Sequence, residues 1–409
     1  MMEKSRNRAV GRQVRKMIAA AMAAMLVFTS ANVADVNAEE TVLAVSENAV
    51  TGETGAGVVE AKKTGEPEVE NGGAENREAE NTDLDAETAD PDTENADGTH
   101  TYKNGFCTDD GCDAYEPAVL TTGKYDIDVN GEITDSDEAY EIGNAGQLYW
   151  FAGLVNGTLT DGTAQNLKAN AVLTADITVN EDLLTSINTE EDGNVTNGSS
   201  FKAWRPMGMA DENGEGYYKG IFDGNGHSIS GLYVNRDESD DVDDRFKVGI
   251  GLFGYYSGVT RNLSVLDSYM RGEDCIGGIF GYNDGGTIQN CYSAATVCGD
   301  SYIGGICGRS EGDSIIENCY NTGYVYGTTI GGICGDNYST IESCYNIGIV
   351  NGEFNVGGIV GASSGLGNTI WIKDCYNRGN VIGDTKDIGG IGGYIGYSLV
   401  ENCYSQATV

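Results

Sequence analysis

From residue 248 onward, short apolar segments alternate with glycines in a pattern that repeats along the chain. The second glycines of successive copies are separated by 27, 27, 27, 26 and 32 residues. A fixed period of this length is typical of stacked repeat architectures. An apolar residue, two glycines and an isoleucine recur at 276–279, 303–306, 330–333, 356–359 and 388–391, and a degenerate copy lies at 249–252.

Each copy predicts two or three strands of three to five residues, punctuated by glycine, asparagine or aspartate, with no run long enough for a helix. A copy offers about five inward aliphatic side chains worth ~1.5–3 kcal/mol each. Ordering the backbone costs ~1–2 kcal/mol per residue, so one copy cannot fold alone and copies must stack. We predict an all-β fold, a right-handed parallel β-helix (solenoid). A propeller is the alternative, but its blades usually need ~40 residues.

Stacking places like residues above one another in three columns. A position that holds leucine or cysteine predicts an inward ladder, because free cysteine packs as a small hydrophobe. The short polar residue before it predicts a corner, since such residues tolerate left-handed backbone, and the tyrosine after it predicts an outward column. The inward ladder is Leu263, Cys291, Cys319, Cys344, Cys375 and Cys403; the corner ladder is Asn262, Asn290, Asn318, Ser343, Asp374 and Asn402; the tyrosine column is Tyr292, Tyr320, Tyr345, Tyr376 and Tyr404.

The repeat pattern weakens toward the N-terminus but does not stop at residue 248. Strand and turn signals in 204–235 predict earlier coils, so we assign 171–409 to the parallel β-helix. Asn144 predicts the N-cap of a short amphipathic helix over 145–156, which is placed to cover the N-terminal end of the stack. Residues 101–170 are therefore the predicted N-terminal cap region. The chain ends at Val409 inside a repeat, which predicts a C-terminally truncated fragment.

The first hundred residues differ in composition from the repeats. A basic start, an apolar stretch at 17–28 and the sequence Val36-Asn37-Ala38 predict a signal peptide over 1–38. The apolar stretch is shorter than the ~20 residues that span a bilayer. Residues 39–100 carry 18 acidic and three basic side chains, which predicts a disordered acidic linker. We expect a secreted, extracellular chain associated with a bacterial cell surface, without membrane insertion after signal removal.

Charge narrows the classes of partner. The chain has 63 Asp and Glu against 24 Lys and Arg, a net charge of −39. Such a surface repels phosphate backbones and anionic lipid headgroups. We therefore predict no nucleic-acid binding and no binding to a membrane surface.

The recurrent elements Gly-Gly-Ile-x-Gly, Gly-x-Ile-x-Asn-Cys-Tyr and Val-x-Gly, preceded by Phe-Asp-Gly-Asn-Gly-His-Ser-Ile at 222–229, resemble GLUG-motif repeats. The resemblance covers roughly 200–409. It implies an exported bacterial surface protein, either adhesin-like or the non-catalytic part of an immunoglobulin-A-specific metallopeptidase. It implies location and architecture rather than a reaction.

Candidate chemistry is sparse. Two histidines without a His-Glu-x-x-His motif predict no catalytic zinc site. Cys107 and Cys112 predict a local disulfide or unpaired thiols, with half of a zinc site as the alternative. Eleven cysteines is an odd count, and Cys307 and Cys334 are the candidate disulfide pair if the repeat thiols do not simply stay buried. The acidic run 237–244 is a candidate calcium site, but it lacks EF-hand glycine spacing, and a solvated loop is favoured.

These observations favour a binding or display module that is not an enzyme, with no cofactor apart from the candidate calcium. We expect its partner to be a host or cell-wall glycan or protein surface, contacted by the tyrosine column. In a competing interpretation, the tyrosines only stack on one another and stiffen the rod. The alternative functions are a β-helix polysaccharide lyase or hydrolase, for which arginines in the repeats are scarce, and the non-catalytic N-terminal part of a larger surface peptidase.

Overall fold

A computed structural model describes residues 92–94, 100–128, 130, 132–189, 195–209, 215–236, 248–365 and 370–409. The predicted signal peptide and nearly all of the predicted linker lie outside the described residues, as does the acidic run 237–244. Within the described part, the chain forms a β-solenoid of about nine turns. The predicted all-β solenoid is confirmed.

Each regular coil contributes strands to four sheets, numbered 1 to 4 in the order in which the chain visits them. One coil runs through Tyr269–Gly277 in sheet 1, Phe280–Asp284 in sheet 2, Thr287–Gln289 in sheet 3 and Tyr292–Ser293 in sheet 4. Strands therefore number four in this coil and range from two to nine residues. The prediction of two or three strands of three to five residues was wrong in both number and length.

The long strands of sheet 1 explain this difference. A single residue with positive φ bends the strand without ending it: φ is 55° at Cys275, 55° at Tyr302, 45° at Asn355 and 59° at Asp387. Parallel pairing continues on both sides of the bend, as in the register from Tyr269↔Thr296 to Gly277↔Gly304. The four residues at this bend share no side-chain type, so no sequence pattern marks it.

The strand bounds are as follows. Sheet 1 contains Tyr233–Asn235, Val248–Ile250, Tyr269–Gly277, Thr296–Gly304, Tyr324–Gly327, Ile330–Gly331, Val350–Gly357 and Val381–Gly389, and sheet 2 contains Phe253–Tyr256, Phe280–Asp284, Cys307–Glu311, Cys334–Asn337, Val360–Ser364 and Gly392–Gly396. Sheet 3 contains Val119–Thr122, Glu138–Ile142, Ala171–Leu173, Ile221–Asp223, Val259–Arg261, Thr287–Gln289, Ile315–Glu317, Thr340–Glu342, Ile370–Lys373 and Ser398–Glu401. Sheet 4 contains Ile177–Thr178, Ser228–Ser230, Ser264–Leu266, Tyr292–Ser293, Tyr320–Asn321, Tyr345–Asn346, Tyr376–Asn377 and Tyr404–Ser405.

Pairing within the four sheets is parallel except at one end of sheet 3, where Val119–Thr122 runs antiparallel to Glu138–Ile142. A separate antiparallel sheet contains Asp92–Glu94, Thr101–Lys103 and Phe106–Cys107. The parallel register sets like residues above one another and produces a continuous apolar core. One of its columns lies on sheet 3: Phe222, Thr260, Ile288, Ile316, Ile341 and Ile372, all buried.

The helix predicted over 145–156 is present as Ala145–Asn156. The Asn144 side chain accepts a hydrogen bond from the Gln147 amide, and Gly157 ends the helix with φ of 65°. Phe151 is buried, with its ring centroid 6.2 Å from that of Phe222 in sheet 3. Two shorter helical segments are Leu183–Ser186 and the 3₁₀ turn Gly198–Ser200. No helix in the described part of the chain is both long and apolar enough to cross a bilayer.

Candidate functional site

The five tyrosines of the predicted column lie on consecutive strands of sheet 4, in register. Their rings stack nearly parallel, with centroids 4.2, 4.7, 5.0 and 5.4 Å apart and interplanar angles of 6–14°. Each inner ring is therefore covered on both faces by its neighbours. The column presents ring edges and hydroxyls rather than ring faces, and the hydroxyl of Tyr292 also hydrogen-bonds the Thr322 hydroxyl at 2.7 Å.

The corner ladder has left-handed backbone throughout. All six residues have φ between 52° and 55°. The amides of the first five donate to carbonyls of the next coil, as from Asn290 to Glu317 at 3.1 Å, and some side chains bond along the column, as from Asn290 to Asn262 at 3.2 Å. Short polar side chains thus stabilise a corner that a β-branched residue would strain.

The inward ladder points into the core. Leu263 and the cysteines from Cys291 to Cys375 are buried, and Cys403 is partly buried. The thiols donate to the carbonyl two residues earlier, as from Cys319 to Glu317 at 3.1 Å. Burial raises the pKa of the Cys319 and Cys344 thiols well above the ordinary value. These thiols stay protonated at neutral pH and act as small apolar side chains.

All eleven cysteines are free thiols in the structure. Cys307 and Cys334 are register partners in sheet 2, as their matching positions predicted, and both are buried. Cys107 and Cys112 lie outside the solenoid, beside His100. Sequence reasoning had not connected that histidine with the two cysteines.

A second polar ladder, which was not predicted from the sequence, lies inside the core. Asn321, Asn346 and Asn377 follow the column tyrosines and are fully buried on sheet 4. The Asn321 amide donates to Asn346 Oδ1 at 2.9 Å, and the Asn346 amide donates to Asn377 Oδ1 at 2.9 Å. We call these three residues the buried asparagine ladder; it ties consecutive coils together without access to water.

A surface missed by the sequence analysis lies on the outer face of sheet 2. Parallel pairing aligns Tyr255, Tyr282, Arg309 and Asp336 in one column. Each strand of this part of sheet 2 begins with an apolar residue and a glycine, and the residue that follows them in the sequence belongs to the column. Together with flanking rings, this column forms the tyrosine–arginine cluster: Tyr217, Tyr255, Tyr282, Tyr302, Tyr338 and Arg309, all half-buried.

Rings in the tyrosine–arginine cluster do not cover one another face to face. Tyr217 meets Tyr255 edge-on, at 5.5 Å and 73°, and Tyr255 is tilted by 36° to Tyr282. The Arg309 guanidinium lies over Tyr302 at 5.3 Å and over Tyr338 at 5.2 Å. Tilted rings around a cation leave aromatic surface for a ligand to contact.

Carboxylates hold the arginine in place. Arg309 Nε donates to Glu311 Oε1 at 2.6 Å, and the Tyr282 hydroxyl donates to Glu311 Oε2 at 2.5 Å. Arg309 Nη1 lies 3.6 Å from Asp336 Oδ2, and Asp336 is only 4% exposed. Burial raises the pKa of Asp336 to about 6, with Arg309 acting in the opposite direction.

This pKa predicts a pH-dependent stability that Asp336→Asn removes. A folded-state pKa above that of an unfolded carboxyl, about 3.9, means that the folded chain binds the proton more tightly. The contribution of Asp336 to stability is therefore greatest at low pH and is lost as the pH rises through 6. Urea unfolding should show that the free energy of unfolding of Asp336→Asn, taken relative to wild type, is about 2–3 kcal/mol lower at pH 4 than at pH 7. A pH-independent difference would contradict this assignment.

Comparison with known proteins identifies the repeat. Residues 299–325 match the model of the GLUG motif, which confirms the resemblance for this copy. Among solved structures, the chain is similar to a protein from Bacteroides ovatus described as "a putative immunoglobulin A1 protease", with 22% sequence identity and a TM-score of 0.39. That similarity covers 66% of this chain and 76% of the other. No curated protein matches the chain.

Proposed function

We propose that this GLUG-motif solenoid is an exported, adhesin-like module that binds or displays at a bacterial cell surface and has no catalytic activity of its own. The tyrosine–arginine cluster is the observation that carries the proposal. Tyrosine and arginine are the residue types that concentrate binding energy at interfaces. Here Tyr255, Tyr282 and Arg309 lie on adjacent parallel strands of sheet 2, which holds them in fixed positions, and the other three rings flank them.

The rest of the chain fits this role. Export through residues 1–38, right-handed winding and coverage of the N-terminal end of the stack by Ala145–Asn156 all belong to the proposal. A solenoid is rigid along its axis because each coil pairs with the next.

The partner that this surface suits is a glycan or a protein surface of the host or the cell wall. Tilted tyrosine rings contact sugar C–H groups or apolar side chains at low entropy cost. Carboxylates such as Glu311 accept hydrogen bonds from hydroxyls and amides. A net charge of −39 disfavours nucleic acid and anionic membranes as partners.

The tyrosine column of sheet 4 is the second candidate contact surface. Because neighbours cover both faces of each inner ring, we expect it mainly to stiffen the rod. Its exposed edges and hydroxyls still offer hydrogen bonds to a ligand. Variants in the two surfaces separate the two roles.

We expect the double variant Tyr255→Ser, Tyr282→Ser to bind its ligand at least tenfold more weakly, since two aromatic contacts are removed from the centre of the surface. Binding of the full chain to a glycan array and to immobilised extracellular proteins measures the effect. The matched control is Tyr320→Ser, Tyr345→Ser in the column, which we expect to keep binding and to unfold at a lower temperature. Loss of binding in the control variant alone would show that the tyrosine column is the contact surface. Unchanged binding in both variants would contradict the proposal.

Polysaccharide cleavage is a second candidate function, favoured by one observation. Asp336, with its raised pKa, lies beside Arg309 and Glu311, a grouping of acid and base types found in sugar-cleaving enzymes. Against it, Asp336 is only 4% exposed, and both carboxylates already face the arginine. To test for cleavage, the full chain and Asp336→Asn are assayed for release of reducing or unsaturated sugar ends. Release by wild type alone would establish an enzyme.

A further inference from the structure

A cluster of metal-ligating atoms lies ahead of the solenoid, in the hairpin of Thr101–Lys103 and Phe106–Cys107. The two residues at its turn, Asn104 and Gly105, have φ of 48° and 74°, the left-handed pair that tight hairpins require. The register Tyr102↔Cys107 sets His100 across from the segment that follows Cys107. The hairpin therefore brings together residues whose spacing in the sequence matches no recognisable metal-binding motif.

The segment after the hairpin folds back on it. The Cys112 amide donates to the Asp109 carbonyl at 3.0 Å, and the Cys107 amide donates to the Ala114 carbonyl at 3.1 Å. As a result, the sulfurs of Cys107 and Cys112 and a ring nitrogen of His100 all lie within 4.8 Å of one another. All three residues are partly buried.

The distances match those of a tetrahedral zinc site. Zn–S bonds of about 2.3 Å and Zn–N bonds of about 2.0–2.1 Å at tetrahedral angles set sulfur and nitrogen about 3.5 Å apart. In the structure, His100 Nδ1 lies 3.5 Å from Cys107 Sγ and 3.4 Å from Cys112 Sγ. Both edges agree with that value.

Asp109 lies beside two of these atoms: its Oδ2 is 3.5 Å from Cys107 Sγ and 3.7 Å from His100 Nδ1. We propose that His100, Cys107 and Cys112 form a structural zinc site, and that Asp109 moves toward Cys112 to take the fourth position. Two thiolates and an imidazole favour zinc over calcium or magnesium, which take oxygen ligands.

A Cys107–Cys112 disulfide is the competing arrangement. It would use both sulfurs but not the His100 ring nitrogen that lies against the two of them. Metal binding uses all three atoms at once. It also requires little movement, because the S···N separations already have tetrahedral values.

The site is placed to fasten the hairpin to the helix at the N-terminal side of the solenoid. Glu116, just beyond the folded-back segment, accepts hydrogen bonds from Asn144 at 2.8 Å and from Gln147 at 3.0 Å. The Asn104 carbonyl in the turn accepts from the Gly146 amide at 2.9 Å. A bound zinc would fix the loop between these two attachments.

Cobalt and zinc titrations of the reduced full chain test the site. We expect one Co²⁺ per chain, with a thiolate-to-cobalt charge-transfer band that Zn²⁺ abolishes by displacement. Cys112→Ser and His100→Gln should each weaken binding at least a hundredfold, since a direct ligand matters at least as much as the groups that orient one. Zinc should also protect 108–114 from limited proteolysis in wild type but not in these variants.

The chain offers matched controls in its other histidine and in another partly buried cysteine. His227→Gln and Cys403→Ser should bind cobalt as wild type does. A thiolate band that keeps its full intensity in Cys112→Ser at the cobalt concentration that just saturates wild type, or that disappears in Cys403→Ser, would overturn the assignment. So would a reduced chain that binds no cobalt and forms a Cys107–Cys112 disulfide on reoxidation.

Discussion

Replacing Asn346 by leucine is expected to lower the free energy of unfolding by about 3–5 kcal/mol. Asn346 is the middle member of the buried asparagine ladder and uses both ends of its amide. Its nitrogen donates to Gly348 O and Asn377 Oδ1, both at 2.9 Å, and its oxygen accepts from the Gly348 amide at 3.1 Å and from Asn321 at 2.9 Å. Leucine fills a similar volume, but the side-chain amides of Asn321 and Asn377 would each lose a hydrogen-bond partner in a site without water.

Serine at the same position is the matched control. Ser293 and Ser405 occupy this column in other coils, and each hydroxyl accepts from the amide two residues later. We expect Asn346→Ser to cost about 1–2 kcal/mol. Because a solenoid can open coil by coil, urea unfolding should be combined with hydrogen exchange over 321–377. A leucine variant within about 1 kcal/mol of wild type would show that the ladder contributes little.

The features that local chemistry controls could be predicted from the sequence. The repeat period indicated stacking, since a lone copy cannot cover its own apolar face. The polar residue before each ladder cysteine indicated a corner because few side chains tolerate left-handed backbone, and all six have positive φ. The N-cap at Asn144 followed from the same kind of reasoning, and its side chain bonds the Gln147 amide.

Features that depend on the neighbouring coil could not be predicted in this way. The bend in sheet 1 uses Cys275 in one coil and Tyr302 in the next, so no residue type identifies it. Asn321 was hidden for a different reason: a polar side chain at an inward position contradicts the usual alternation. It is stable there because Asn346 of the adjacent coil and the backbone of Gly323 satisfy its side-chain amide.

The tyrosine–arginine cluster and the role of His100 beside Cys107 and Cys112 were not predicted, because both sites join residues from separate segments. Arg309 meets Tyr282 and Asp336 only through the register of sheet 2, one residue from each of three coils. His100 joins Cys107 and Cys112 through a hairpin rather than through a recognisable metal-binding spacing. In both cases the residues were visible in the sequence, and the contacts between them were not.

The second glycine of each repeat is explained by the close approach of consecutive coils. A Cβ added at Gly332 would overlap the carbonyl oxygen of Gly358 in the next coil and the side chain of Asn346, whose Cβ would lie 2.7 Å away. The second glycine therefore leaves room for the buried asparagine ladder, and the two motifs are coupled through space. A backbone oxygen cannot move aside unless the two coils separate.

Gly332→Ala is accordingly expected to destabilise the solenoid by about 3 kcal/mol or more, measured by urea unfolding, with the largest loss of hydrogen-exchange protection at 330–358. The matched control is Gly285→Ala. Gly285 has φ of 78°, but an added Cβ would meet only Ser257 Oγ, at 3.8 Å, so the cost should be about 1 kcal/mol of backbone strain. A cost at Gly332 no larger than that at Gly285 would contradict the close approach of consecutive coils as the reason for the second glycine.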